Sequence, residues 1–377
     1  MRTTTDAAPV LDLSPLLTNH RVFRGGVGNP LLAPRGVWAV GGRLIVADTG
    51  QNRLFIWQTM PTTEWAEPDL VLGQAETADT GRNAGGQPHS GTLQYPSGIW
   101  SDGERLVVAD AWNHRVLIWL RFPTQSGQAA DLVLGQPDFG GNQPNVGGIG
   151  AAPSAQSLNW PYGVFSDGER LFIADTGNRR VLVYDPFPTR SFAAADYVIG
   201  KPGFTDRDYE HTEPVWPYSV RVGPGGQLAI ADTQYYRTLL WHDWRTALTR
   251  PNGQPTADVL IGQPDFEANG QNQFRLAPAQ STLSWTYDLY FYRNGLFVAD
   301  TGNSRLLWFT EVPKTSNVPA DGLIGHPDFQ TGSENATTRY GTDRQLYWPF
   351  SLCIDGDQLV IADTGNHRIV IGELAIP

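Results

Sequence analysis

The sequence predicts an all-β fold, a six-bladed β-propeller of four-stranded antiparallel blades, from three observations. An apolar run ending in Ala-Asp returns six times, and five residues after each Asp an Arg opens another apolar run. The pairs are Asp48/Arg53, Asp110/Arg115, Asp175/Arg180, Asp232/Arg237, Asp300/Arg305 and Asp363/Arg368. Successive Asp numbers differ by 62, 65, 57, 68 and 63, and such fixed-period self-similarity marks a repeat architecture. Each unit divides into four short apolar runs separated by turn residues. The 377 residues include 41 Gly and 28 Pro beside 13 Trp, 13 Tyr and 16 Phe, a composition suited to many short strands joined by turns.

The third copy gives the elements in order. Gly-Val-Phe-Ser is a first strand, Asp-Gly-Glu a turn, residues 170–175 a second strand, Thr-Gly-Asn a turn, residues 179–184 a third strand and residues 196–200 a fourth. The fourth strand recurs at 69–73, 131–135, 196–200, 258–262 and 321–325, five copies for six blades. Residues 20–25, just upstream of blade one, supply the missing strand and close blade six, leaving no open edge. The whole chain, 1–377, is expected to be a single domain. Its blades span about 34–73, 96–135, 161–200, 217–262, 286–325 and 349–374.

A formal charge of −11 excludes nucleic acid and anionic membranes as partners, since both need a positive surface. The first 17 residues lack the basic start and unbroken apolar stretch of a leader, and no long apolar span follows, so a cytoplasmic protein is expected. The single cysteine, Cys353, rules out an internal disulfide and reads as a buried strand residue.

The phrases Asn113-His114-Arg115 and Asn366-His367-Arg368 resemble the motif that names the NHL repeat, and the similarity extends over essentially the whole chain. Copies one, three and five keep Asn and Arg, and copy four reads Tyr235-Tyr236-Arg237. The resemblance implies a propeller. It also implies one of two kinds of protein: an interaction module of the sort found in larger proteins, or a free-standing enzyme similar to amidating lyases, strictosidine synthase-like enzymes or gluconolactonase-like hydrolases.

Six equivalent Asp–Arg pairs read as structure, because chemistry would not be repeated six times; Asp caps a turn and Arg pairs with it. Function is sought where the copies differ. The connections between blades run long from Gly73 to Pro96, Gly135 to Pro161, Gly262 to Thr286 and Gly325 to Pro349, and short from Gly200 to Pro217 and Gly25 to Pro34. The short ones stand opposite each other. A groove across this top face is therefore expected, while the opposite face carries minimal turns.

Entering each innermost strand are Arg35, Ser97, Tyr162, Tyr218, Tyr287 and Phe350, the expected lining of the channel mouth. Before them stand Tyr95, Trp160, Trp216, Trp285 and Trp348, read first as wedges between blades. Arg35, Tyr162, Tyr287, Phe350, Trp160 and Trp216 are the candidate binding residues. Asp288 stands where other copies have Gly or Ser, and Arg221 falls in an apolar layer with Trp38, Trp100, Phe165, Tyr290 and Cys353. His211 lies in a charged loop, 205–214. With Tyr218, these three are the candidate catalytic residues.

His89, His211 and His326 lie in loops at alternate junctions and form a candidate set for Zn²⁺, or with loop oxygens Ca²⁺, above the axis. A metal-assisted lyase or hydrolase would use the ion to polarise a carbonyl and Tyr218 or Tyr287 to move a proton. The alternative is a scaffold holding a protein or peptide without chemistry. A small molecule or peptide is the expected ligand in the first reading, and a protein partner in the second.

Overall fold

The computed structural model describes residues 14–208, 210–248, 256–332 and 345–376. They form six four-stranded antiparallel sheets. The innermost strands are Gly36–Val40, Pro96–Ser101, Pro161–Ser166, Pro217–Val222, Thr286–Tyr292 and Pro349–Asp355. Each contacts the next and the last contacts the first, so the sheets are blades around a closed ring. Strand Leu17–Phe23 pairs antiparallel with Arg368–Leu374 and completes blade six, three residues earlier than the sequence places it. Helical structure among the described residues is limited to short 3-10 turns, and none is long and apolar enough to cross a membrane.

The repeated phrase acts as a clamp. Asp175 and Arg180 are fully buried, and Arg180 Nε donates to Asp175 Oδ2 at 2.7 Å. The other Asp oxygen accepts from the backbone N–H of Asn159 at 2.7 Å, which holds the incoming connection. Arg180 also donates to the carbonyls of Ser154, Ser157 and Phe204. One ion pair thus ties a turn to the end of one inter-blade connection and the start of the next, and the other five copies repeat its Nε–Oδ2 bond.

In every blade but the second, which has Ala111 instead, neighbouring blades are pinned by the Thr that follows the Asp. Its hydroxyl donates to the carbonyl entering the next innermost strand, as from Thr49 to Pro96 at 2.7 Å and Thr176 to Pro217 at 2.6 Å. Thr364 does the same to Pro34, closing the ring.

The bottom face departs from expectation. The first-to-second strand turns there are short, but the third-to-fourth strand connections also lie on it and cover the outer edge of the preceding blade. Phe192 N–H donates to Val133 O, and Ser191 Oγ accepts from Val133 N. Gly127 with Ser126, and Asn317 with Ser316, treat Val71 and Leu260 in the same way. Outer strands that would otherwise present unpaired backbone are thereby blunted.

Candidate functional site

In blades two to six the ladder slips just past the entry to the innermost strand; in blade three Pro161 faces Asp175 but Gly163 faces Ala174. The residue at the slip leaves the ladder, and such bulges re-aim a side chain. Ser97, Tyr162, Tyr218, Tyr287 and Phe350 therefore turn into the channel, as expected. They do not line an open mouth. Tyr218 reaches the centre, stacks on Tyr162 at 4.6 Å, meets Tyr287 edge-on at 4.5 Å and approaches Phe350 at 6.3 Å. Its hydroxyl lies 3.4 Å from Ser97 Oγ and bonds Arg35, so all six entry positions meet at one phenol. The space left among them is about 20 Å³, enough for a water molecule and no ligand.

Beneath this plug the strands approach unequally. A Cβ on Gly36, Gly98 or Gly163 would stand 1.9, 2.6 and 2.5 Å from the carbonyl oxygens of Ser97, Tyr162 and Tyr218, so only glycine fits blades one to three. Blades four to six carry Ser219, Asp288 and Ser351 at the same level. Asp288 Oδ1 accepts from Ser219 Oγ at 2.6 Å, and its Oδ2 accepts from Ser351 Oγ at 2.9 Å and Leu352 N–H at 3.2 Å. Arg221 Nη2 lies 2.9 Å from Oδ1 and 3.0 Å from Oδ2.

The two outliers of the sequence are therefore each other's partners, an ion pair bridging blades four and five. With its oxygens so engaged, Asp288 is a strut between the blades, and the two residues read as catalytic candidates are held as one ion pair. Tyr218 is buried as the hub of the plug. Burial pushes the phenols of Tyr162 and Tyr287 well above the ordinary value and that of Tyr95 up to about 12. These groups stay protonated near neutral pH and serve as hydrogen-bond donors; Tyr287 is a poor base.

The histidines do not converge. His326 Nε2 lies 3.0 Å from the carbonyl of Asn303, in the place of the amides of Gln74 and Gln136, which donate at 3.0 Å to the carbonyls of Asn52 and His114. It is a structural exchange for glutamine. His89 Nδ1 accepts from Gly91 N–H within its own loop, and His211 lies against Tyr235 with Nε2 3.7 Å from Glu267. Among the described residues, no three His, Cys, Asp or Glu side chains are grouped to hold a metal ion. Part of the charged loop is structural too: Glu213 pairs with buried Lys201, Nζ to Oε2, at 2.7 Å. Tyr209 of that loop lies outside the described residues.

The residues before the entry positions do pack across blades, Trp160 against His114 at 5.9 Å and Trp285 against Tyr236 at 6.5 Å, but they are not fully buried wedges. Tyr95, Trp160, Trp285 and Trp348 have φ of 55, 49, 47 and 51°, in the left-handed region, and their rings are turned out around the plugged mouth. Trp160 and Trp285 are 40% and 43% exposed. Trp216 is half-buried and 6.3 Å from Trp160; Tyr95 stacks on Trp112 at 4.6 Å. The top face is thus a tiled aromatic surface. Arg35 lies inside it, 4.1 Å from the Phe350 ring and 5.2 Å from that of Tyr95. Residue type gave no signal for this placement, because bulky residues rarely adopt positive φ.

The NHL repeat family matches residues 346–371. NHL repeat-containing protein 2 of Homo sapiens is 25% identical over 379 residues, covering 92% of this chain. The chain is a six-bladed β-propeller whose residues 346–371 match an NHL repeat. It spans about half the length, 47%, of that curated relative. Among solved structures it is similar to Kuenenia stuttgartiensis hydrazine synthase (TM-score 0.48, 12% identity, 92% of this chain and 97% of that one). Streptogramin B lyase gives 0.47 and 11%, over 96% and 100% of the two chains. An auxiliary nutrient binding protein from Bacteroides thetaiotaomicron gives 0.48 and 12%, over 93% and 69%. Likenesses so distant say nothing of chemistry.

The NHL phrase has a division of labour. Asn113 and Arg115 both donate to Asp110 Oδ2 at 2.7 Å. His114 reaches the next blade, where its Nδ1 accepts from the Trp160 backbone N–H at 3.0 Å; His367 Nδ1 accepts from Ala33 N–H at 3.0 Å. Asn52 Oδ1 does the same for Tyr95 N–H. The NHL histidine thus holds the left-handed residue of the following blade.

A ring nitrogen that accepts a hydrogen bond is unprotonated. Burial lowers the His114 pKa to about 4 from 6.5, although an Asn159 hydrogen bond opposes it. Between those values the unfolded chain binds a proton that the folded chain refuses, so stability is lost as pH falls through that window. We expect the unfolding free energy of the wild type to fall from pH 6.5 to 4 by roughly 1 kcal/mol per pH unit more steeply than that of His114→Gln, as read by denaturant titration. Parallel profiles would overturn the assignment.

Proposed function

We propose that this propeller binds a peptide or small organic ligand on the aromatic top face over its channel, by contact and not by chemistry. The observation that carries the reading is the left-handed backbone of Tyr95, Trp160, Trp285 and Trp348. A left-handed residue that is not glycine costs about 1–2 kcal/mol. If the turn alone required that conformation, Gly or Asn would meet it more cheaply. Large rings kept there, exposed at Trp160 and Trp285 and half-buried at Tyr95 and Trp348, are strain retained for what the rings present.

The rings offer flat apolar area at little entropic cost, and Arg35 with the neutral phenols of Tyr162 and Tyr287 offers donors. The ligand that fits has an apolar, planar or extended body and an oxygen acceptor. A lyase or hydrolase at this face would need a base within reach of the mouth. Asp288 is already engaged by Arg221 and two serines, which favours binding over catalysis.

The test is a peptide array and a small-molecule library screened by intrinsic Trp fluorescence, followed by affinity measurements on hits. Trp160→Ala and Trp285→Ala are expected to weaken binding about tenfold or more each, with unchanged denaturation midpoints. Hits that bind the double variant as well as the wild type would remove the top face from consideration.

A further inference from the structure

A second space against the channel lies on the other face. A cavity of about 620 Å³ opens below blade four, lined by Phe165, Arg170, Arg221, Trp244, Arg245 and Phe291 among others. That volume falls within the range of small-molecule sites. We propose that it binds an organic carboxylate, the planar apolar body resting on Trp244 and Phe291 and the charge directed toward Arg221 and Arg245.

The cavity follows from two departures of blade four. Its sister strands place Trp38, Trp100, Phe165 and Tyr290 at the level of residue 221, filling the lower channel with rings. Arg221 instead turns its guanidinium to Asp288, and the ring volume goes unfilled. The following turn reads Gly223-Pro224-Gly225-Gly226 where blades two and three carry Ser-Asp-Gly-Glu, so blade four adds no acidic side chain, and the one carboxylate of the lining, Asp167, is held by Arg170.

The chemistry is set by what remains. Arg221 is 6% exposed, closes the inner end, and its Nε has no hydrogen-bond partner among the described residues. An unfulfilled buried donor is costly. Trp244 lies between two guanidinium groups, Arg170 at 5.1 Å and Arg245 at 5.0 Å from its ring. Arg170 is already matched by Asp167 and Asp185. Among the described residues Arg245 has one ion-pair partner, Asp243 at 3.4 Å, both well exposed, so it can turn to a ligand at little cost.

An adjoining cavity of about 420 Å³ shares Pro224, Gly225 and Phe291 and adds Arg293, Lys314 and Glu311. Across the two, five cations face two carboxylates. The chain as a whole has 27 basic and 38 acidic residues. The local balance therefore runs against the global one, and guanidinium groups over aromatic faces suit a carboxylate with a flat apolar body.

The test is calorimetric titration of the full chain with naphthylacetate and with its neutral amide, naphthylacetamide. The carboxylate is expected to bind about tenfold or more tightly than the amide, as charge-assisted hydrogen bonds allow. Val222→Trp, which places an indole in the cavity, should abolish that binding, and Arg245→Glu should weaken it several-fold. Trp160→Ala should leave it intact, which separates this site from the top face. Equal affinity for the two probes, no saturable binding by the folded chain, survival in Val222→Trp or loss in Trp160→Ala would each overturn the proposal. Arg221 is left in place because its removal strands Asp288.

Discussion

Arg180→Leu is expected to lower the unfolding free energy by about 3–5 kcal/mol, the cost of leaving one partner of a buried ion pair uncompensated. Asp175 is fully buried, and the carbonyls of Ser154, Ser157 and Phe204 would lose their donor as well. Against a usual total of about 5–15 kcal/mol, this is a large share. The control is Glu64→Ala. Arg24 and Glu64 meet at 2.8 Å, nearly the separation of Arg180 and Asp175 at 2.7 Å, yet Glu64 is 51% exposed. Its loss should cost less than about 1 kcal/mol. Burial, not distance, decides between them. Denaturant titration followed by Trp fluorescence measures both, and comparable losses would contradict the clamp.

The second large effect lies in the channel. Asp288→Ala removes the counter-ion of Arg221 and the acceptor of Ser219, Ser351 and Leu352 N–H, and should also cost about 3–5 kcal/mol. Arg221→Phe with Asp288→Gly restores the residue types of blade three. That double variant is expected to recover most of the loss, giving an interaction energy near 3 kcal/mol in a double-mutant cycle. It should also retain top-face binding, since the pair lies beneath the plug. Additive losses would show that the two side chains do not act as one unit, and a double variant that folds yet fails to bind would return Asp288 to the site.

Legibility differed by the range of the contacts involved. The six Asp–Arg phrases, the four strands and the closing strand were readable because turn residues and apolar runs act within a few positions of one another. Arg221 and Asp288 were readable as exceptions, but not as partners, because 67 positions separate them. Their meaning reverses once they touch: two catalytic candidates become one strut. The histidines misled for a related reason. His89, His211 and His326 lie in similar loops, yet His326 faces inward to a carbonyl in place of a glutamine, while His89 is exposed. Loop position says little about direction.

The bottom cavity had no signature in any single repeat. It exists because a guanidinium turns toward a neighbouring blade and a ring is missing where sister strands have one. Likewise, nothing in the residue type of Trp160 announces a left-handed backbone, which the His114 cap of the preceding blade holds in place. The sequence alone determined a ring of six near-equal blades, because each blade is specified by local alternation and turn chemistry repeated at one period. Only the tertiary structure decided which face is plugged, which rings are presented and where a cavity remains, because those depend on side chains from different blades meeting at the axis.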